Sequence, residues 1–216
     1  MASLDPNHPT VSALRKLLPG VVVAGGSFAG SLPSPGLVLS SGRPKVLESA
    51  RRAAVNECIA ELVIGHGLDS ETVVKNRPTG DRDWPSGFVG SLTHKGTVVL
   101  GALAMKSKLL ALGVDLELVQ HESVADIEGV VVGEGLAPGT DHEFGTLLSL
   151  SVKESIYKAR FPLIGETVDF LSIHLVWQSS TGEHFEGVGA SPQCPDMWFK
   201  ARRVGQWLLS AAYLPV

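Results

Sequence analysis

Apolar positions in the N-terminal part of the chain predict one long helix. Between Pro44 and Gly65, apolar residues recur with a period near 3.6, which places them on one face of an α-helix. Proline suits the first turn of a helix, so Pro44 is expected near its start. Earlier in the chain, Gly, Pro and Ser are frequent, and patterning is limited to a helical stretch at Val11–Leu18 and a strand candidate at Val21–Val23.

The middle of the chain changes from turn-rich to strand-like. Residues 76–96 contain Pro78, Trp84-Pro85 and several glycines, and they predict an irregular loop. Two apolar strands are expected after it, at Thr97–Met105 and Leu109–Glu117.

A second helix followed by strands is expected in the C-terminal part. The helical pattern runs from Glu143 to Arg160, and Pro162 is expected to close it because the residue before a proline avoids helical dihedral angles. Leu171–Trp177 alternates as a half-buried strand, while Met197–Arg203 and Gln206–Tyr213 form a closing hairpin. Both halves thus contain a long helix followed by antiparallel strands. This order predicts an α+β fold with a pseudo-twofold duplication.

Composition narrows the classes of function. The 216 residues are 44% apolar, which is enough for a sizeable core, and the formal net charge is −4. That charge gives no general reason to bind nucleic acid or an anionic membrane, and no apolar run approaches the ~20 residues of a membrane-spanning helix. The opening residues MASLDPNHPT do not resemble a signal peptide. A cytoplasmic protein is therefore expected.

Common catalytic signatures are absent from the sequence. It contains neither a GxxxxGK[ST] phosphate loop nor an HExxH zinc motif, and Gly25-Gly26-Ser27-Phe28-Ala29 does not complete GxSxG. The candidate catalytic or binding groups that remain are the side chains of carboxylates, lysines and histidines.

Two acidic residues end an apolar strand pattern. Asp115 and Glu117 are two positions apart, so their side chains leave the same face of a strand and could hold one hard cation. A solvated strand end would give the same pattern. Glu154 and Lys158 are neighbours on one helix face, either as a surface ion pair or as a partly desolvated acid and base. His94, in a Thr-His-Lys tip, could donate to a phosphate, but a lone histidine is often structural.

In order and spacing, three motifs resemble the 4′-phosphopantetheinyl transferases of the surfactin and enterobactin-synthase type. They are WPSGFVGSLTH at 84–94, GVDLE at 113–117 and SVKESIYKA at 151–159, with WLLSAAYLP at 207–215 as weaker support. The resemblance spans roughly residues 43–215. It implies that residues 1–108 form a half that binds the coenzyme A nucleotide, that residues 109–216 form a metal-binding half, and that the active site lies between them.

The resemblance also implies a role for individual residues. The metal carboxylates would be Asp115, Glu117 and Glu154. The catalytic groups would be Glu154, Lys158 and His94. Contacts with coenzyme A would come from Lys45, Arg52, Arg77, Thr93, His94, Lys153 and Lys158. The family commonly repeats an arginine four residues after the position of Arg52, where this chain has Asn56. Binding of the 3′-phosphate could therefore pass to Arg51, Arg43 or Arg77.

The implied reaction is the Mg²⁺-dependent transfer of the 4′-phosphopantetheine arm of coenzyme A to a serine of an apo acyl- or peptidyl-carrier protein, with Mn²⁺ as a possible substitute. The carrier serine would attack the β-phosphorus, and 3′,5′-adenosine bisphosphate would leave. A monomer is expected. Two alternatives remain open at this point: a Mg²⁺-dependent nucleotide phosphohydrolase, and a non-catalytic module that binds coenzyme A or a carrier.

Overall fold

The computed structural model describes residues 2–3, 8–27, 45–69, 71–72, 74–79, 81–119, 124–131 and 135–216. Within these ranges the helices are α1 (Pro9–Leu17), α2 (Lys45–Gly65), α3 (Val124–Val131) and α4 (His142–Ile164). The strands are β1 (Ala2–Ser3), β2 (Val22–Ser27), β3 (Lys75–Asn76), β4 (Arg82–Asp83), β5 (Phe88–Lys95), β6 (Val98–Met105), β7 (Leu109–Leu118), β8 (His174–Thr181), β9 (His184–Ser191), β10 (Cys194–Val204) and β11 (Trp207–Pro215).

The strands form two main antiparallel sheets. One has the order β1-β2-β6-β5, the other has the order β7-β11-β10-β9-β8, and β3 pairs with β4 separately. Helix α2 packs on β2 and β6, whereas α4 packs on β7, β11 and β10. Helix α1 lies against β2, β10 and β11. The predicted α+β class is confirmed.

Because successive side chains of a strand point to opposite faces, β7 contributes residues to two separate apolar clusters. On β7, Leu112, Val114 and Leu116 point into an apolar cluster shared with α1 and β6, while Ala111 belongs to the cluster under α4. The α1 cluster takes residues from both sides of position 108, so the two predicted halves share a core. The predicted division into 1–108 and 109–216, and the duplication, stay predictions.

The edges of the two main sheets meet along β5 and β7. Each is the terminal strand of its sheet, and the two lie side by side without ladder pairing. Side chains join them instead. The backbone N–H of Val114 donates to Ser91 Oγ at 3.0 Å, and Thr93 Oγ1 donates to Asp115 Oδ1 at 3.2 Å. This seam brings the WPSGFVGSLTH and GVDLE motifs into contact.

Three predicted elements differ from the structure. The predicted loop at 76–96 is wrong for 88–95, which form β5 in full register with β6, and it also contains Asn76 of β3 and the two residues of β4. The strand expected at Leu171–Trp177 begins at His174, after a short 3₁₀ turn at Phe170–Ser172, and continues to Thr181. Helix α4 also continues through Pro162 to Ile164.

The end of α4 explains why Pro162 does not break it. The proline lies in the last turn, so the missing N–H removes one hydrogen bond, to the carbonyl of Lys158. The helix stops three residues later at Gly165, which has φ 76° and donates its N–H to Phe161 O. Glycine reaches this left-handed conformation without steric cost, so Gly165 provides the helix stop.

Helix α4 lies unusually close to β7 at Gly113. A β-carbon on Gly113 would overlap the carbonyl oxygen of Ser155 and come within 2.7 Å of the backbone nitrogen of Ala159. Backbone atoms of a helix cannot rotate away as a side chain can. Glycine at this position therefore sets the distance between helix and sheet.

We expect Gly113→Ala to lower the free energy of unfolding by about 3 kcal/mol, the upper range for overpacking, because α4 must move off the sheet. Urea unfolding followed by circular dichroism measures this. The matched control is Gly129→Ala on α3, where an added β-carbon meets nothing within 4 Å and should not destabilise the protein. Equal stability of the two variants would contradict the close packing at Gly113.

Candidate functional site

The GVDLE motif places its two acids opposite α4. Asp115 and Glu117 alternate with Val114 and Leu116, which face the other core cluster, so both carboxylates lie on the α4 side of β7. Asp115 is 3% exposed and Glu117 is 6% exposed. A buried carboxylate requires compensating partners.

Asp115 is held by one ammonium and two hydroxyl groups. Its Oδ1 lies 2.6 Å from Lys158 Nζ and accepts from Thr93 Oγ1 at 3.2 Å, while its Oδ2 accepts from Ser151 Oγ at 3.0 Å. Lys158 Nζ is also 3.4 Å from Glu154 Oε2 and donates to the carbonyl of Val114 at 3.3 Å. Residues of β5, β7 and α4 thus meet at a single ion pair.

The electrostatics of this group depend on Lys158. Burial alone would raise the pKa of Asp115, but the charge and hydrogen bonds of Lys158, with the hydroxyls of Ser151 and Thr93, hold it below its usual value. Burial, and then the negative charge of Asp115, raise the pKa of Glu154. The pKa of Lys158 is raised despite burial, because two carboxylates surround the ammonium. Asp115 is therefore the stable anion, and Glu154 is the group more ready to take a proton.

Glu117 has a different cationic partner. It forms an ion pair with Lys95, the residue that ends β5. Across the described residues, no three His, Cys, Asp or Glu side chains are grouped closely enough to hold a metal ion. The structure therefore brings Asp115 and Glu154 together around Lys158 and leaves Glu117 beside them on Lys95. Asp115 and Glu154 carry charges of the same sign and repel each other, so a divalent cation would stabilise the pair. Mg²⁺ is commonly bound by one or two carboxylates together with substrate phosphates, and this pair is a suitable donor set.

A cleft of 800 Å³ is lined by three residues of this site, Thr93, His94 and Lys158. One wall comes from α2 and β5 and includes Arg51, Arg52 and His94, and the opposite wall comes from α4 and includes Lys158. Asn76 and Arg82 contribute polar groups at its far side. The cleft joins cations from α2 and α4, the helices that pack on the two main sheets, in a protein whose net charge is −4.

Arg51 is the better-positioned arginine of α2. Its Nη1 donates to His94 Nε2 at 2.6 Å, and its Nη2 donates to Glu48 Oε1 at 2.6 Å. The side chain of Arg51 is 28% exposed, whereas that of Arg52 is 74% exposed and lies 3.5 Å from Glu48. Because a guanidinium can only donate, Nε2 of His94 accepts, and a neutral ring carries its proton on Nδ1. Arg51 and His94 therefore form one hydrogen-bonded pair in the wall of the cleft.

Part of the α4 wall is apolar. Tyr157, Phe161 and Pro162 line the cleft beyond Lys158. The ring of Tyr157 packs at a tilt against Phe161 and edge-on against Phe170, at ring-centroid distances of 5.7 and 6.1 Å. The aromatic cluster fixes these rings, so the cleft changes from cationic to apolar along α4.

The remaining predicted binding residues lie elsewhere or are not described. Lys153 is fully buried and donates from Nζ to the carbonyl of Phe170 at 2.9 Å, on a different side of α4 from Lys158. Arg77 is paired with Asp81 and Asp83. Lys45 is the first residue of α2, and its side chain lies outside the described residues, as do Pro44 and Arg43.

Two contacts at the site were not anticipated from the sequence. The Lys95 pair with Glu117 requires β5 to be a strand, and 88–95 had been predicted as loop. The bond from Ser151 to Asp115 joins residues 36 positions apart, and a serine on a helix gives no sign of its partner. Within the motif SVKESIYKA, the one sign is that Ser151 lies about one turn before Ser155, on the same face of the helix.

We expect Lys158→Met to destabilise the protein by about 3 kcal/mol at pH 8, because it leaves Asp115 buried without its cation. In the parent protein the lowered pKa of Asp115 contributes stability above its unfolded pKa, and this contribution is lost as the pH falls through the lower folded value. Without Lys158, burial raises the pKa of Asp115, so the ionised carboxylate destabilises the folded state. Acidification towards pH 5 should therefore reduce the loss of stability caused by the substitution. Thermal unfolding at several pH values measures this, with the exposed Lys106→Met as control. A deficit that is independent of pH would contradict it.

Comparison with known proteins identifies the family. No protein-family model matches the sequence. The chain is 31% identical over 154 residues to the 4′-phosphopantetheinyl transferase Npt of Nocardia iowensis, which covers 67% of both chains. It is 29% identical over 139 residues to the 4′-phosphopantetheinyl transferase Svp of Streptomyces mobaraensis, covering 60% of this chain and 55% of Svp. The chain belongs to the 4′-phosphopantetheinyl transferase family.

Proposed function

We propose that this protein transfers the 4′-phosphopantetheine arm of coenzyme A to a serine of an apo acyl- or peptidyl-carrier protein in a reaction that depends on Mg²⁺, and that it belongs to the surfactin and enterobactin-synthase type. One observation carries the proposal. Motifs separated along the chain meet beside one cleft: Thr93 of β5 and Lys158 of α4 line it, and both contact the buried carboxylate of Asp115 on β7.

The cleft provides separate surfaces for the two ends of coenzyme A. The guanidinium of Arg51, with the ring of His94 hydrogen-bonded to it, would meet the nucleotide phosphates, and Lys158 would meet the pyrophosphate. The apolar wall of Tyr157 and Phe161 suits the pantetheine arm. Arg51 takes the role first assigned to Arg52, because its guanidinium is ordered by two hydrogen bonds, whereas Arg52 extends into solvent.

Asp115 and Glu154 would hold the divalent cation, with Glu117 nearby. When bound, the cation would offset negative charge on the pyrophosphate. Lys158 would supply a further positive charge to the same oxygens, and Glu154 would accept the proton of the carrier serine, directly or through water. The serine oxygen forms a bond to the β-phosphorus, the bond from this phosphorus to the bridging oxygen breaks, and 3′,5′-adenosine bisphosphate leaves with the bonding electrons.

Incubation with coenzyme A, Mg²⁺ and a panel of apo-carriers should add about 340 Da to a carrier, the mass of the transferred arm, as measured by mass spectrometry. Asp115→Ala should abolish the adduct, and the near-isosteric Asp115→Asn should lower kcat at least about a hundredfold, because each loses the anion of the site. The exposed Asp196→Asn is the control, and circular dichroism checks the fold. Full turnover by both Asp115 variants would contradict the assignment of Asp115. Cleavage of coenzyme A without an adduct would support a phosphohydrolase, and binding without turnover would support a non-catalytic module.

Adjacent arginines on α2 allow a matched test of nucleotide binding. Arg51→Ala should raise the KM for coenzyme A roughly ten- to a hundredfold, the effect of losing a charged hydrogen bond in a partly buried position. Arg52→Ala should change it less than about threefold, because an exposed charge contributes little. Steady-state kinetics with one carrier at saturation compare the two. A larger effect at Arg52 would overturn the assignment to Arg51.

A further inference from the structure

Three buried serines lie behind Asp115, on the side away from the cleft. Ser210 on β11 is the direct cross-strand neighbour of Asp115 on β7. Ser151 and Ser155, one turn apart on α4, face Ser210. All three serines are fully buried. They occupy the zone where α4 approaches the sheet over Gly113, a contact too close for large side chains.

The hydroxyl groups form a continuous chain of hydrogen bonds. Ser155 Oγ lies 2.6 Å from Ser210 Oγ, which lies 2.8 Å from Ser151 Oγ, which lies 3.0 Å from Asp115 Oδ2. Ser210 Oγ is also 2.7 Å from the backbone oxygen of Ser151. The chain thus runs from the helix to the strand β11, back to the helix, and ends on the carboxylate of β7.

The charge of Asp115 fixes the direction of this chain. An ionised carboxylate only accepts hydrogen bonds, so Ser151 must donate to it. With the Ser151 proton so used, Ser210 shares its one proton between the backbone oxygen and Oγ of Ser151, and Ser155 donates to Ser210. Hydroxyl groups that donate in sequence polarise one another, which strengthens the final bond to the charged group. The chain occupies Oδ2 and leaves Oδ1 for Thr93 and Lys158.

We propose that Ser151, Ser210 and Ser155 are positioning residues that hold the Asp115 carboxylate in the orientation required to bind the divalent cation. This inference rests on the proposed function. Ser151 contacts the carboxylate itself, Ser210 orients Ser151, and Ser155 orients Ser210. The effect of removing each hydroxyl should therefore decrease in that order.

A purely structural role makes a different prediction. If the serines only attached α4 to the sheet, each substitution would lower the melting temperature and leave cation affinity unchanged. Cation affinity, measured without turnover, separates the two roles.

The experiment measures Mn²⁺ binding to the full-length protein by electron paramagnetic resonance, with and without saturating coenzyme A. Ser151→Ala should raise the Kd roughly tenfold or more, the loss of a hydrogen bond to a charged group. Ser210→Ala should raise it about threefold, and Ser155→Ala less, in keeping with the modest strengthening of one bond by the next. The control is Ser149→Ala, which removes a buried hydroxyl from the same helix outside the chain. Mg²⁺-dependent transfer should follow the same order through the half-saturating Mg²⁺ concentration, with a smaller change in kcat.

Wild-type Mn²⁺ affinity in both Ser151→Ala and Ser210→Ala would overturn the proposal, whatever their melting temperatures. If the unmodified protein binds no Mn²⁺ in either condition, the dependence on a divalent cation stated in the proposed function is itself contradicted. A crystal structure of Ser210→Ala then decides the positioning separately: a displaced Asp115 carboxylate supports it, and an unchanged one contradicts it.

Discussion

The buried ion pair between Asp115 and Lys158 is the contact on which the arrangement of the site depends. Its acid comes from the edge of one sheet and its base from the helix that packs on that sheet, and a hydroxyl from the edge of the other sheet completes it. Burying a carboxylate is costly, and the cost is offset only while all three elements stay in register. The pair therefore couples the assembly of the fold to the assembly of the cleft.

Small residues make this contact possible. Gly113 allows the backbone of α4 to approach β7, and serines rather than larger apolar residues fill the space beside it. At this distance, hydroxyl groups on α4 reach both β11 and the carboxylate. The same close packing that stabilises the C-terminal sheet thus also orders a buried charged group on its edge strand.

Periodicity was sufficient to predict the elements with a strong apolar pattern. Helix α2, strands β6 and β7, and the closing hairpin were predicted near their observed positions, because burial on one or both faces leaves a regular signal. Strand β5 was missed because Gly90, Ser91 and His94 are weak strand formers; pairing with β6 imposes its conformation. At Pro162 the helix was expected to close and instead continues to Ile164, because a proline in the last turn of a helix removes only one backbone hydrogen bond.

The site was predictable only as far as local spacing extends. A period of two places Asp115 beside Glu117, and a period of four places Glu154 beside Lys158. Which lysine meets which acid depends on strand register and helix placement, so the pairs Lys95 with Glu117 and Arg51 with His94 had no local signature. The shift of the predicted anion contact from Arg52 to Arg51 has the same cause: neighbouring residues on a helix point about 100° apart, and tertiary packing selects between them.

The side-chain seam between β5 and β7 makes the junction of the two sheets depend on the identity of a few residues. A ladder of backbone hydrogen bonds can form with almost any side chains, whereas this boundary is bridged by Ser91, Thr93 and the ion pair of Lys95 with Glu117. A substitution at one of these positions would therefore alter how the sheets meet while leaving the strand pairing within each sheet unchanged.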